Sequence, residues 1–384
     1  MRILHIIPTL DPSGSGPVEG LKHLAAATAS LGHEVAIATL DAPDCDLPHD
    51  LGFSVHPLGP ARSRYWYTPR LLPWLRKEVG HFDVVIVEGL WQYHSFAAWL
   101  ALKRAGVPYF VFCHGMLSPW FKHRYPLKHL KKMLYWPWAE YRILRDARAV
   151  LFTSEEERLL ARQSFRPYRC REEVVGYGTI APPGNADLQR QAFLCRYPDL
   201  DNKRLALYLG RLHPVKGCDL LIEAFARAAA TRPDIQLVIA GPDQDGYLNE
   251  LAALASRLKI SERITWTGRL AADLKWGALH AAEVLILPSH QENFGVVVAE
   301  ALACGKPVLI SDKVNIWREV ADAGAGFVAN DDLAGTADNI GAWLNLTTDE
   351  YSAMCRRATA CFTAQFDISR MAERLIEIIR GQRL

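Results

Sequence analysis

Short apolar runs alternate with longer stretches of helical period along this chain. That alternation predicts βαβ units and parallel sheets. The first run is Ile3, Leu4, His5, Ile6 and Ile7. A loop of Gly, Ser and Pro follows, then a helical pattern over about 18–31 that Gly32 stops. EVAIA at 34–38, VVIV at 84–87 and YFVF at 109–112 read as further strands. VLFT at 150–153 closes this series, with Ser154 placed to cap a helix. A second series starts near residue 204, with strands at 205–209, 235–240, 264–266, 284–287 and 308–310 and a first helix over 219–230. Between the two series lies YGTIAPPGNADL, whose Gly and Pro read as a linker. The pattern therefore predicts two doubly wound α/β domains joined near 177–200, with no solenoid repeat and no low-complexity tract. A last amphipathic helix covers 368–380, and its pattern does not say where it packs.

A length of 384 residues exceeds what one core usually holds, which fits two domains. Half of the residues are hydrophobic and 22% are charged, as in ordinary globular proteins. A net charge of +2 argues against wholesale nucleic-acid binding. The first 180 residues carry a basic excess and the remainder an acidic one. This suits an anionic surface or acceptor for the first half, or is a chance imbalance of surface charge. The eight cysteines form no CxxC pair and no His/Cys cluster, so they read as reduced cytosolic thiols. MRILHIIPTL is too short for a signal peptide, and no apolar run reaches the roughly 18–20 residues of a spanning helix. The expected location is cytoplasmic, soluble or peripheral on the inner face of the membrane.

Ligands of open α/β sheets bind outside the C-terminal ends of the strands, and two such domains facing each other would make a cleft. GRLHPVKG at 210–217 follows a strand and precedes a helix. Arg211 and Lys216 there, with a helix N-terminus behind them, suit a diphosphate. Two solvated surface charges are the alternative. PSHQENFGVVVAEALACGKP at 288–307 ends a strand and starts a helix near Asn293, Phe294 and Gly295. Its first N–H groups can receive phosphate or sugar oxygens. Glu292 precedes that helix, and Glu300 lies inside it among apolar neighbours, so Glu300 should be buried and in need of a partner such as a ribose. His114 follows the strand YFVFC, where a functional and a structural role are both open. Glu88, Trp91, Tyr93 and His94 form a polar and aromatic strand-end loop suited to an acceptor sugar, although Trp91 and Tyr93 equally suit packing. The loop Asp11 to Pro17 holds Gly14, Ser15 and Gly16, which let backbone approach a ligand or simply make a turn.

Taken together, PSGSG, LGHEV, HG at 114–115, GRLHPVKG and the E-x7-E pair 292/300 resemble the family 4 retaining glycosyltransferases of the GT-B fold over essentially the whole chain. The resemblance implies two Rossmann-like domains, with an acceptor-side domain at 1–185, a nucleotide-sugar domain at 186–365, and a C-terminal segment 366–384 that packs back onto the first. It implies that Arg211 and Lys216 bind the donor diphosphate and stabilise the leaving group. It assigns Glu292 to hydroxyls of the transferred sugar, Glu300 to the ribose, and the N–H groups of Phe294, Gly295 and Val296 to sugar and phosphate. Arg269, in GRL at 268–270, matches the segment whose backbone holds the base. His114 falls near the donor sugar. The family usually has adjacent glycines where this chain has Gly14-Ser15-Gly16, which leaves the phosphate-binding N–H unassigned. The donor would be a UDP-, GDP- or ADP-sugar, with no metal and no other cofactor. HGMLSPW and SDKVNIWRE are similar to bacterial exopolysaccharide and surface-polysaccharide members.

Residues 118–148 mix Lys122, Arg124, Lys128, Lys131, Lys132, Arg142, Arg145 and Arg148 with the aromatics Trp120, Phe121, Tyr125, Tyr135, Trp136 and Trp138 and only two acids. This suits an anionic membrane carrying a lipid-linked acceptor. Core aromatics with solvated cations are the alternative. Single-stranded nucleic acid is discounted because the other motifs point to sugars. The expected reaction is hexose transfer with retention to a glycan or lipid-linked acceptor. A silent scaffold of the same fold and a nucleotide-sugar epimerase are the rivals. The acidic loop Asp243, Gln244, Asp245 only weakly resembles a metal motif.

Overall fold

Thirteen strands among the described residues, all paired in parallel, make two separate sheets in the computed structural model. The structure describes residues 1–11, 16–45 and 52–381. The first compact unit comprises Met1–Gly178 with Ile368–Leu384, and the second comprises Thr179–Asp367. The first sheet contains β1 (Arg2–Ile6), β2 (Glu34–Thr39), β3 (Ser54–Pro57), β4 (Val84–Glu88), β5 (Tyr109–Phe112), β6 (Ala149–Phe152) and β7 (Glu172–Val174), in the order 3-2-1-4-5-6-7. The second contains β8 (Arg204–Leu209), β9 (Ile235–Ala240), β10 (Ile264–Gly268), β11 (Val284–Leu287), β12 (Val308–Ser311) and β13 (Gly326–Ala329), in the order 10-9-8-11-12-13.

Parallel neighbours need crossover helices, and helices on both faces bury the central strands on both sides. That is why β4, β5 and β11 are runs of Val, Ile, Leu, Phe and Tyr, broken only by the terminal Glu88 of β4, with every residue buried. In each sheet the strand order reverses once, between β1 and β4 and between β8 and β11. Those reversals open crevices at the C-terminal strand ends, where ligands of such sheets bind.

The stretch expected as linker is partly a packed helix. Asn185 caps Ala186–Arg196 by accepting from Asp187 N and Leu188 N. Phe193 on this helix is fully buried, and a Cβ on Gly277 would lie 2.2 Å from Gln189 O. The units divide at Gly178/Thr179, ahead of the expected 185/186. The two ends of the second unit are tied together where Thr179 N donates to Phe366 O at 2.9 Å. The helix Ile368–Gly381 packs on the helix Gly16–Ser30 of the first unit. It buries Ile368, Met371, Ala372, Leu375, Ile376 and Ile379, one stripe at helical spacing. Each large side chain in that stripe contributes about 1.5–3 kcal/mol.

Candidate functional site

In the second unit the residues at the switch point are placed by two interlocking loops. Gly217, between the turn Pro214–Lys216 and the helix Cys218–Ala228, has φ 67°, and a Cβ there would sit 2.2 Å from Pro288 O. Only glycine meets both demands, and it brings the loop after β8 against the loop after β11. Lys216 Nζ thereby forms an ion pair with Glu292 Oε2, both side chains largely shielded. The backbone of Glu292 is clamped on both sides: its N–H donates to Lys313 O at 2.9 Å, and its carbonyl accepts from Asn315 N at 3.0 Å. Arg211 is exposed, and its Nη1 donates to Gln244 Oε1 at 3.1 Å. Asp243, in the same acidic loop, accepts from Leu248 N in the first turn of the helix Tyr247–Arg257, which gives that loop a structural reason for its charge.

The helix expected near 293 begins at Val296, headed by Gly295 at φ 77° and without a side-chain cap. Its first N–H groups therefore lack intrahelical acceptors and point along the positive end of the helix dipole. Phe294 is buried edge-on to Phe366, so its ring anchors the loop and only its backbone faces any ligand. The Asn293 amide oxygen accepts from Asn315 Nδ2 at 3.3 Å. Glu300 is buried, and Lys275 Nζ from the helix Ala272–Ala281 lies 2.6 Å from its Oε1. Burial pushes the Glu300 carboxyl up, and the Lys275 cation opposes this. Arg269 is exposed just after β10, two strands from β8, so it stands apart from the Lys216–Glu292 pair.

In the first unit the switch point holds a buried triad of side chains. Glu88, the last residue of β4, accepts from or pairs with His5 Nδ1 at 2.7 Å and His114 Nε2 at 2.6 Å. Burial alone would raise the Glu88 carboxyl, but the bonds to the two imidazoles outweigh it and hold the group at about 2. His114 has the left-handed φ of 47°, stacks on Phe112 at 4.6 Å and meets the edge of Tyr177 at 6.2 Å. Such a conformation persists only where surroundings fix it. Here Glu157 does so, accepting from Gly115 N at 2.5 Å and from Thr153 N and Oγ1 at 2.7 Å each.

The grouping of Glu88, Trp91, Tyr93 and His94 as acceptor contacts is corrected in part. His94 is fully buried, its Nε2 is 2.9 Å from Glu88 O, and burial lowers it to about 4. It is an uncharged core histidine that braces the end of β4. Tyr93 is buried against Tyr65 and Tyr67. Trp91 is half-buried, packs on Phe165 at 4.9 Å, and donates from Nε1 to Met116 O at 3.2 Å. Glu88 acts on His114 and His5. Gly14 and Ser15 lie outside the described residues, and Gly16 opens the first helix. His5 and Lys275 were missed. His5 left a signal, since a lone polar residue in a doubly buried strand needs a partner. Lys275 left none. A cavity of about 720 Å³ opens at the other end of the first sheet, before β5, β6 and β7, near Pro108, Arg148 and Arg171, and has no part in either cluster.

Beneath Trp91, Glu140 accepts from Trp91 N at 2.7 Å and is completely buried, which pushes its carboxyl up to about 7. A carboxyl raised in the fold stabilises it below the unfolded value near 4.5, and that contribution is lost as pH rises through 7. Glu140→Gln should therefore raise the melting temperature relative to the parent at pH 8 and change it little at pH 5. Paired thermal melts at the two pH values check this, and an equal shift at both would contradict it.

Residues 196–360 match the family model for glycosyl transferases group 1, and residues 15–178 match that for the glycosyl transferase 4-like domain. The D-inositol 3-phosphate glycosyltransferase of Mycolicibacterium smegmatis is 28% identical over 313 residues, 78% of this chain and 67% of that protein. The structure of Anabaena HepE in complex with UDP and glucose superposes with a TM-score of 0.75 at 19% identity, covering 99% of this chain and all of that one. A glycosyltransferase from Rickettsia africae superposes at 0.78 with 18% identity, covering 100% and 98%. These two likenesses bear on the fold. With one model matching each unit, this chain belongs to the group 1 glycosyltransferases, with a 4-like first domain and the GT-B architecture of two Rossmann-like α/β sheets.

Proposed function

We propose that this protein transfers a hexose, with retention, from a nucleoside diphosphate sugar to a glycan or lipid-linked saccharide at the cytoplasmic face of a membrane, in the synthesis of a surface or extracellular polysaccharide. The observation that carries the reading is the Lys216–Glu292 pair at the β8/β11 switch point. It sets a cation for phosphate beside a carboxylate for sugar hydroxyls, next to the N-terminus of the helix Val296–Ala303. Arg211 adds a second cation on the same loop, its Nη1 donating to Gln244 Oε1. HepE, which shares the fold, has been crystallised with UDP-glucose, which favours that class of donor as the first to try.

In the proposed reaction the acceptor hydroxyl forms a bond to the anomeric carbon as the bond from that carbon to the β-phosphate oxygen breaks. The departing phosphate takes the hydroxyl proton, and Lys216 with Arg211 stabilises the charge that develops on it. No side-chain nucleophile and no metal are required. Glu300, held by Lys275, is assigned to the ribose, and His114, held by Glu88, to the donor sugar.

Melting the protein against UDP-, GDP- and ADP-sugars, then assaying the stabilising donor with glycan and lipid-linked acceptors, tests the reading. Stabilisation followed by acceptor-dependent transfer is expected. Epimerised donor without acceptor would favour an epimerase, and a folded protein indifferent to every donor would favour a silent scaffold. Glu292→Ala should weaken the preference for one donor sugar over its epimer by roughly tenfold, the scale of one hydrogen bond to a charged group. Affinity for the free nucleoside diphosphate should change much less. Calorimetric titration with both ligands separates the two, and equal losses would remove Glu292 from sugar recognition.

A further inference from the structure

The helix Pro126–Tyr135 in the first unit is inside out. Leu127, Leu130 and Leu134 recur at i, i+3 and i+7 and so share one face, yet they are 78%, 57% and 70% exposed. The face packed on the domain carries buried His129, whose ring lies 4.7 Å from Phe165, and Lys132, whose Nζ sits 4.3 Å above the ring of Trp91. A helix at an ordinary protein surface does the reverse. Of the ten large apolar side chains exposed among the described residues, seven fall between 121 and 138, and Trp138 is 69% exposed. One patch thus gathers most of the open apolar surface described, which marks an interaction site.

The chemistry around the patch selects the partner. Lys122, Arg124, Lys128 and Lys131 surround the leucines and are exposed, and none of them is in an ion pair among the described residues. Arg124 and Lys128 lie over the Tyr125 ring, and cations with no carboxylate partner around aliphatic side chains fit a surface with anionic head groups over hydrocarbon. A second copy of the chain would set these cations against each other. A nucleic acid would use the cations and aromatics but leave the leucines in water. Among the described residues no helix is long and apolar enough to cross a membrane, and the contact inferred from this patch is peripheral.

We infer that residues 120–138 form an interfacial anchor that docks the first unit on an anionic lipid bilayer, with Leu127, Leu130, Leu134 and Trp138 seated below the head groups. The inference deepens the proposal of a lipid-linked acceptor. Docking itself rests on the exposed residues, and its meaning for transfer rests on that proposal.

The test is co-sedimentation of the full chain with vesicles of phosphatidylcholine alone or with about one-third phosphatidylglycerol. Binding is expected only to the anionic vesicles, and it should weaken as salt rises. Lys128→Ala with Lys131→Ala should lower the partition roughly 25-fold, at about fivefold per charge. Leu127→Ser, Leu130→Ser and Leu134→Ser together should lower it about tenfold or more. Equal binding to neutral vesicles, no binding to anionic ones, or binding unaffected by the leucine variant overturns the inference. So does a dimer that hides the patch, or single-stranded DNA binding that depends on the lysines alone. Donor-induced melting shifts should be the same in the parent and both variants. A parent that binds vesicles but no donor would sink the transferase reading and leave the anchor standing.

Discussion

Lys216→Ala is expected to lower kcat by about 10²–10³-fold, the scale of removing one preorganised group from a developing oxyanion. The melting temperature should move little. Lys216 is shielded but lies in a strand-end loop, and its removal exposes Glu292, itself only partly buried, to water. Breaking the pair therefore costs about 1 kcal/mol of stability, because water reaching the strand-end loop can replace the lost contact. A fall in turnover with an unchanged melt separates chemistry from folding. Turnover within twofold of the parent would remove Lys216 from the diphosphate site. The pairing adds a second expectation. Without a ligand, the Lys216 cation is occupied by Glu292, so a donor phosphate must compete for it. Glu292→Gln should accordingly leave affinity for free nucleoside diphosphate equal to or higher than that of the parent.

Glu88→Ala should be the most destabilising single change, at about 3–5 kcal/mol, the cost of removing one member of a buried charged pair. Native domains hold only about 5–15 kcal/mol in total. The carboxylate is enclosed, and its loss leaves His5, itself without exposure, and His114 facing a hole. The same group governs the acid limb of stability. Its carboxyl is depressed from its ordinary value near 4.5 to about 2, so its stabilisation is complete above pH 4.5 and drains away as pH falls toward 2. Glu88→Gln should flatten the loss of stability across that window while lowering stability at pH 7. It should also reduce turnover, because His114 in its left-handed conformation loses the charged acceptor at its Nε2. Denaturant melts from pH 7 to pH 2 report the first effect and donor kinetics the second. An unflattened acid limb in Glu88→Gln would show that other carboxylates control it.

The central strands were legible because both of their faces are buried, so VVIV, YFVF and VLIL read as unbroken apolar runs. The three strands that escaped sequence reading are β3, β7 and β13, all at sheet edges and all only partly buried. Their sequences, SVHP, EEV and GFVA, carry little apolar pattern because half of each surface meets water or loop. The helix Ala186–Arg196 was missed for a similar reason, since only Gln189 and Phe193 of it are buried. At the candidate site, the positions that bear charge in loops after strands were visible, because topology alone directs such loops to ligands. Their partners were not. Glu300 announced that it needed a partner, for which a ribose was expected, and nothing in linear spacing pointed to Lys275 on another helix. His94 misled because a polar residue beside a strand end looks accessible, whereas it is enclosed and spends its nitrogen on the Glu88 carbonyl.

The return of the helix Ile368–Gly381 to the first unit has a consequence for the order of biosynthesis. The helix Gly16–Ser30, which it covers, leaves the ribosome well before its cover does. The whole second unit, 179–367, is translated in between, which at about 5–20 residues per second takes roughly 10–40 s. For that interval the nascent first unit shows an apolar stripe that the finished protein hides, and it is then the natural client of a chaperone. Emergence of Ile368–Gly381, rather than emergence of its own strands, completes the first unit.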